Sequence, residues 1–333
     1  MDPMTPPGRG ADGRPWRAAG PVVGAYGLSR AAFALCIGPT GGGKTTESVR
    51  RYTRVAQWQH PSPIDGIRKA RILCVATTYR RLWDQIIPSY LDEMPWAMSK
   101  GIAGSKWTGA RGDPADHHFH IEWQGFGRCH VEALFRAVGD TDLEEFFQGF
   151  QATAVHIPEL TTWPSGDIIS KAANRLPRYP TPEHRPDPDE NPDLPAAYGG
   201  VFADANAPEI GTWAHERFYL KRRATDAVFI QPPGFDPDSS DGFHPQAENV
   251  QNLRKLSLTY YRDRAEQQEP WDVKRLLQNL PGYSRHGQPV HAHFNIDQHV
   301  TRHSIAVDAN ADLVIGVDAG ANTLRPAALF EER

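Results

Sequence analysis

"CIGPTGGGKTTESVRRY", residues 36–52, decides the fold. Gly38, four residues, then Gly43, Lys44 and Thr45 is the spacing of a loop that opens a helix with several backbone N–H groups aimed at one anionic spot. On this reading Gly38, Thr40, Gly41, Gly42, Gly43, Lys44, Thr45 and Thr46 surround the phosphates of a nucleotide. Lys44 reaches the β- and γ-phosphates, and the Thr45 hydroxyl holds Mg²⁺. Glycines at 41, 42 and 43 let the backbone close around phosphate with no Cβ in the way. The flanks agree: "AAFALCI" (31–37) is an apolar run suited to a buried strand, and "KTTESVRRYTRVAQW" (44–58) reads as a helix. ATP and Mg²⁺ are therefore the expected ligands.

The rest of the chain bounds what such a loop can serve. Its 333 residues suffice for one large or two modest domains, and a composition of 39% hydrophobic and 23% charged residues is globular. No apolar stretch reaches the length of a membrane span. The opening "MDPMTPPGRGADGRPWRAAG" is rich in Pro and Gly, without the apolar segment of a signal peptide, so residues 1–24 are expected to be a flexible tail. Cys36, Cys74 and Cys129 fall in or beside apolar runs, as buried thiols of a reducing cytoplasm do, and they lack the spacing of a zinc site. A net charge of −4 argues against coating nucleic acid over a broad surface, though a local patch remains open. The small basic clusters Arg50/Arg51, Arg68/Lys69/Arg71, Arg80/Arg81 and Lys221/Arg222/Arg223 read as solvated faces.

Beyond the loop, apolar strands alternate with helices. "RILCVATTY" (71–79) is a second strand, followed by the amphipathic "RRLWDQIIPSYLDEM". "HHFHIEW" (117–123) and "RCHVEALFRAV" (128–138), joined by "QGFG", form a hairpin; "QATAVHI" (151–157), "YGGVFADAN" (198–206) and "DAVFIQ" (226–231) supply further strands. Strands separated by helices predict an α/β fold, a P-loop NTPase whose mainly parallel sheet is flanked by helices, with an added antiparallel hairpin. This core is expected over 25–244. The Pro- and acid-rich 177–195 is an exposed loop, and 245–310 turns helical and polar, as a lid or linker. "ADLVIGVDAGANTLRPAALF" (311–330) has two short apolar runs around Asp318.

Hydrolysis also needs a group that positions water, at the end of a neighbouring strand. "ATAVHIPEL" (152–160) ends in Glu159, but Pro158 stands where an Mg²⁺-binding Asp is commoner. Metal binding then rests on Thr45, the phosphates and water, with Asp204 as a helper. Asn206, after the next strand, is a candidate γ-phosphate sensor that couples hydrolysis to movement. His118 and His120 share one strand face, as do His291 and His293; each pair lacks a third ligand nearby in sequence and reads as surface or packed histidines.

The order "GPTGGGKTT", "VATTYRRLWDQIIPSYL", "ATAVHIPELTTWP", "ADANAPEIGTWAHERF", "FIQPPGFDPDSSDGFHPQAENVQNL" and "LVIGVDAGANTLRPAALF" resembles the large terminase subunit of tailed bacteriophages, the ATPase of the DNA-packaging motor. The resemblance runs from about residue 30 onward. In that family the strand–Glu motif often lacks its Asp, so "HIPEL" is similar to a variant of it, and "ADANAPEIGTW" is similar to the family's coupling segment. It implies a motor that couples ATP hydrolysis to translocation of double-stranded DNA into a procapsid. Glu159 would be catalytic and Asn206 the coupling residue. The implied partners are double-stranded DNA, the portal protein ring, the small terminase subunit and other copies of the chain in a ring. The implied location is the host cell cytoplasm, transiently on the procapsid, without membrane contact. An arginine should complete the site in cis or from a neighbour, with Arg80, Arg111, Arg128 and Arg136 as candidates; the family's upstream adenine-contacting motif is not clearly present, and Arg30 is a guess at that contact. The family also carries an RNase H-like nuclease, and "LVIGVDAG" matches its first strand, which makes Asp318 a nuclease metal ligand. A two-metal site needs several carboxylates, so 311–333 reads as the start of a truncated nuclease domain and no cleavage is expected. Two other readings remain: a generic nucleic-acid translocase or helicase, and a nucleotide-gated assembly module with little turnover.

Overall fold

The computed structural model describes residues 17–99, 101, 103–123, 125–283, 313–318 and 327–332. Eight strands form one sheet: β1 (Phe33–Ile37), β2 (Arg68–Ala76), β3 (Ser105–Thr108), β4 (Ala115–Trp123), β5 (Gly127–Ala137), β6 (Ala154–Ile157), β7 (Gly200–Ala205) and β8 (Asp226–Ile230). Their order is β3-β4-β5-β2-β6-β7-β1-β8. The six from β5 to β8 are parallel, while β4 and β3 extend the sheet antiparallel at the β5 edge. The expected hairpin is β4–β5, and its second strand enters the parallel sheet beside β2.

Both faces of the central strands are buried, which is why they read as unbroken apolar runs. Side chains alternate between the faces. Ala34, Cys36, Ile72, Cys74 and Phe202 meet Val49, Tyr52, Val55 and Ala56 of helix α2 (Lys44–Gln57) on one side. Leu35, Ile37, Leu73, Val75, Val155 and Ala203 pack on the other against Phe147, Ile168, Ile169 and Ala172. Cys36, Cys74 and Cys129 are buried free thiols.

Two expectations are corrected here. Helix α1 (Pro21–Leu28) begins inside the stretch read as a tail; Val23 and Tyr26 are buried, and the Glu248 carboxylate accepts from the amides of Val22 (2.6 Å) and Val23 (3.1 Å). A remote carboxylate thus satisfies the orphan donors of that helix start, which local sequence cannot reveal. Arg51, read as part of a solvated face, is wholly buried. Its guanidinium donates to the carbonyls of Tyr26 and Ser29 and to the Tyr198 hydroxyl, and lies over the rings of Tyr26 and Phe202.

The chain divides into two compact units, 1–284 and 285–333. This boundary cuts the stretch read as a lid, whose described part, 245–283, belongs to the first unit. In the second unit, β9 (Leu313–Asp318) and β10 (Ala327–Glu332) pair antiparallel, with Asp318 opposite Ala327. His291 and His293 lie outside the described residues.

Candidate functional site

The glycine-rich loop leaves β1 and enters α2 through Gly41 and Gly43, both at φ +81°, a left-handed turn that a Cβ would strain. No side chain caps α2. The first intrahelical amide to find its acceptor is that of Glu47, bonded to the Gly43 carbonyl (3.0 Å), so the amides of Lys44, Thr45 and Thr46 are first-turn donors at the positive end of a 14-residue helix. A cradle of this kind suits an anion.

Residues 231–276 hold the loop from outside. Gln231 Nε2 donates to the Gly42 carbonyl (2.8 Å), Asn249 Nδ2 to Gly41 (2.7 Å) and the Tyr261 hydroxyl to Thr40 (3.0 Å); the Thr40 amide donates to Leu276 (2.7 Å). Within the stretch read as a lid from residue 245, Asn249 and Tyr261 thus serve to fix the loop.

Lys44 Nζ is buried and donates to the carbonyls of Gly38 (2.9 Å) and Pro39 (2.8 Å) and to Asn206 Oδ1 (3.2 Å). Burial lowers its pKa, while Cys36, Asp204 and Glu159 act the other way. Asp204, on β7 beside β1, is 1% exposed; it accepts from Thr45 Oγ1 (3.2 Å) and Ser48 Oγ (2.8 Å) and lies 3.0 Å from His156 Nε2. Burial alone would raise its pKa, but hydrogen bonding and charge from His156, with Ser48 and Lys44, hold it below the ordinary carboxylate value. The ionised Asp204 accepts from His156 Nε2–H, and the other ring nitrogen, Nδ1, is hydrogen-bonded to the Tyr52 hydroxyl at 3.0 Å. Tyr52, His156 and Asp204 thus form a buried relay that ends at the hydroxyl of Thr45. A hydroxyl and an ionised carboxylate side by side fit the oxygen preference of Mg²⁺.

Glu159 follows β6 at φ 51°. Its carboxylate is ion-paired with Arg81, whose guanidinium also reaches Thr162 Oγ1 (3.0 Å); Glu159 and Arg81 are 40% and 28% exposed. Lys44, Thr45, Asp204, Asn206 and Glu159 therefore gather at one end of adjacent strands. The arginine beside them is Arg81, not one of the four named from sequence. Arg80 and Arg111 face Asp84, Arg136 pairs with Asp116 (2.6 Å), and Arg128 lies in β5 opposite Glu122. Arg30 stacks on Trp58, 5.2 Å from the ring centre. Sequence reasoning missed His156, although its place three residues before Glu159 on a buried strand marked it as a polar group in need of a partner.

No protein-family model and no curated protein matches the sequence. Among solved structures, the large terminase of a thermophilic bacteriophage superposes with a TM-score of 0.50 at 14% identity, over 92% of this chain and 59% of its own. This chain shares the fold of that terminase. The ATPase domain of the Thermus phage P74-26 large terminase gives a TM-score of 0.42 at 11% identity, over 77% of this chain and 91% of its own. The large terminase of bacteriophage HK97 gives 0.43 at 8%, over 84% and 54%. Among the described residues no helix is long and apolar enough to cross a membrane.

Proposed function

We propose that this chain is the ATPase of a viral DNA-packaging motor, which couples ATP hydrolysis to translocation of double-stranded DNA into a procapsid. The observation that carries this reading is the convergence of Lys44, Thr45, Asp204, Asn206 and Glu159 at one end of a sheet with a terminase fold. The first-turn amides of α2 bind the phosphates, and Lys44 exchanges the carbonyls of Gly38 and Pro39 for phosphate oxygens. Mg²⁺, when bound, neutralises charge on the phosphates. Thr45 and Asp204 hold it, with His156 and Tyr52 fixing the carboxylate. Glu159 orients the attacking water once its carboxylate leaves Arg81. Asn206, already on Lys44 Nζ, registers the state of the phosphates and links it to β7.

The partners on this reading are double-stranded DNA, a portal ring, a small terminase subunit and further copies of the chain in a ring, acting in the host cytoplasm and transiently on the procapsid. Asp318, at the end of β9, is one acid of a nuclease-type metal site that requires additional carboxylates. The test is steady-state ATP hydrolysis with and without linear double-stranded DNA, followed by the same assay with portal-bearing procapsids. Stimulation by DNA supports the motor. Turnover indifferent to both would contradict it, and tight ATP binding without turnover in either setting would favour a nucleotide-gated assembly module.

A further inference from the structure

The β4–β5 hairpin carries histidines with opposite surroundings on its two faces. His117 faces the core, and both its ring nitrogens are engaged, by the hydroxyls of Tyr90 (2.7 Å) and Ser105 (3.0 Å). His118 and His120 face the other way. The antiparallel register sets His118 opposite Glu132 and His120 opposite His130, so four potential ligands share one face. The ring nitrogens of His118 and His120 form no hydrogen bond with any described residue. The rings of His120 and His130 stack at 4.5 Å, and one donor atom from each of His118, His130 and Glu132 lies within 4.8 Å of the other two.

Glu132 is buried and already oriented. Its Oε1 accepts from the Tyr179 hydroxyl (2.7 Å) and lies 3.9 Å from His130 Nδ1, while Oε2 accepts from Arg71 Nε (2.5 Å). A recess of about 290 Å³, lined by Gly104, Ser105, Lys106 and the three histidines, opens this cluster to solvent.

We propose that this face of the hairpin binds a divalent transition-metal cation of the zinc type through His118, His130 and Glu132, with the fourth position open to the recess. Two imidazoles and a carboxylate are the donor set of such borderline ions, whereas Mg²⁺ and Ca²⁺ favour oxygen alone. Tetrahedral coordination at ordinary zinc distances separates ligand atoms by about 3.3 Å. The unbonded His118 ring can rotate to close that gap. Tyr179 and Arg71 are the outer partners that hold Glu132, and the stacked His120 holds the His130 ring. The Arg71 guanidinium and Lys106, which sits opposite His118, work against a cation and moderate its affinity. The ion would pin β4 to β5, next to the edge strand β3 and far in strand order from the glycine-rich loop.

The test is titration of the full chain with Zn²⁺ in excess Mg²⁺, with Co²⁺ absorption as a second readout. The comparison is between wild type, a His118→Ala/His130→Ala variant and a His291→Ala/His293→Ala variant. Wild type is expected to bind one equivalent more than the hairpin variant, in which two of the three ligands are gone. The other variant should keep that equivalent, and the d–d bands of Co²⁺ should follow the same pattern. The conservative His118→Asn, at a half-buried position, repeats the loss if the double variant folds poorly. Absence of saturable binding, identical titrations of wild type and both hairpin variants, or loss only with His291 and His293 would overturn the proposal.

Discussion

Two strand ends meet at the glycine-rich loop, and they are built in opposite ways. At the end of β7, Asp204 is buried and fixed by Thr45, Ser48 and His156. After β6, Glu159 is partly exposed on a left-handed turn, with Arg81 as its ionic partner. A group that holds a cation must not move, and burial with several hydrogen bonds enforces that. A group that activates water must exchange partners during the cycle, and a partly exposed ion pair of small net worth allows it. On the proposed function, this contrast gives Asp204 the rigid role and Glu159 the mobile one.

The sharpest way to break this contrast is by stability. Asp204→Ala leaves His156 and Ser48 without their buried partner and should cost about 3–5 kcal/mol in chemical denaturation. Glu159→Ala removes a partly exposed pair and should cost under about 1 kcal/mol. Equal losses would erase the distinction.

Acid titration probes a buried histidine elsewhere in the fold. Burial, helped by the neighbouring His118, lowers the His117 pKa to about 3 from the ordinary 6.5. The unfolded chain therefore takes up a proton between these values that the folded chain refuses, so stability falls as pH drops through that window. The slope from this residue is at most about 1.4 kcal/mol per pH unit. Denaturation of wild type and His117→Leu from pH 7 to 4 should show a shallower decline in the variant.

The smallest expected effect is at Arg81. Arg81→Ala frees Glu159 at a cost in stability below about 1 kcal/mol, while the ATP dependence of turnover should change measurably because the carboxylate loses its resting partner. An unchanged rate profile together with a large stability loss would make the pair structural.

Much of this was legible in the sequence because it is local. The β1–loop–α2 unit, the β4–β5 hairpin and the ends of β6 and β7 each carry their pattern within one continuous stretch of chain. What escaped depends on distant partners. Glu248 caps α1 from across the chain, Arg51 is buried because Tyr26, Ser29 and Tyr198 receive it, and Arg81 rather than Arg80 meets Glu159 because of the phase in which the chain leaves β2. His118 and His120 lacked a third ligand in sequence, since His130 and Glu132 become their neighbours only through strand pairing.

The most direct test of the account is single-turnover ATP hydrolysis by wild type and Glu159→Gln, with ATP affinity measured in both. The account predicts a fall in rate of roughly 10²- to 10⁴-fold with affinity kept, because Glu159 acts on water and not on phosphate. An unaltered rate in an active protein would contradict it and leave the catalytic carboxylate to be sought elsewhere, beginning with Asp204.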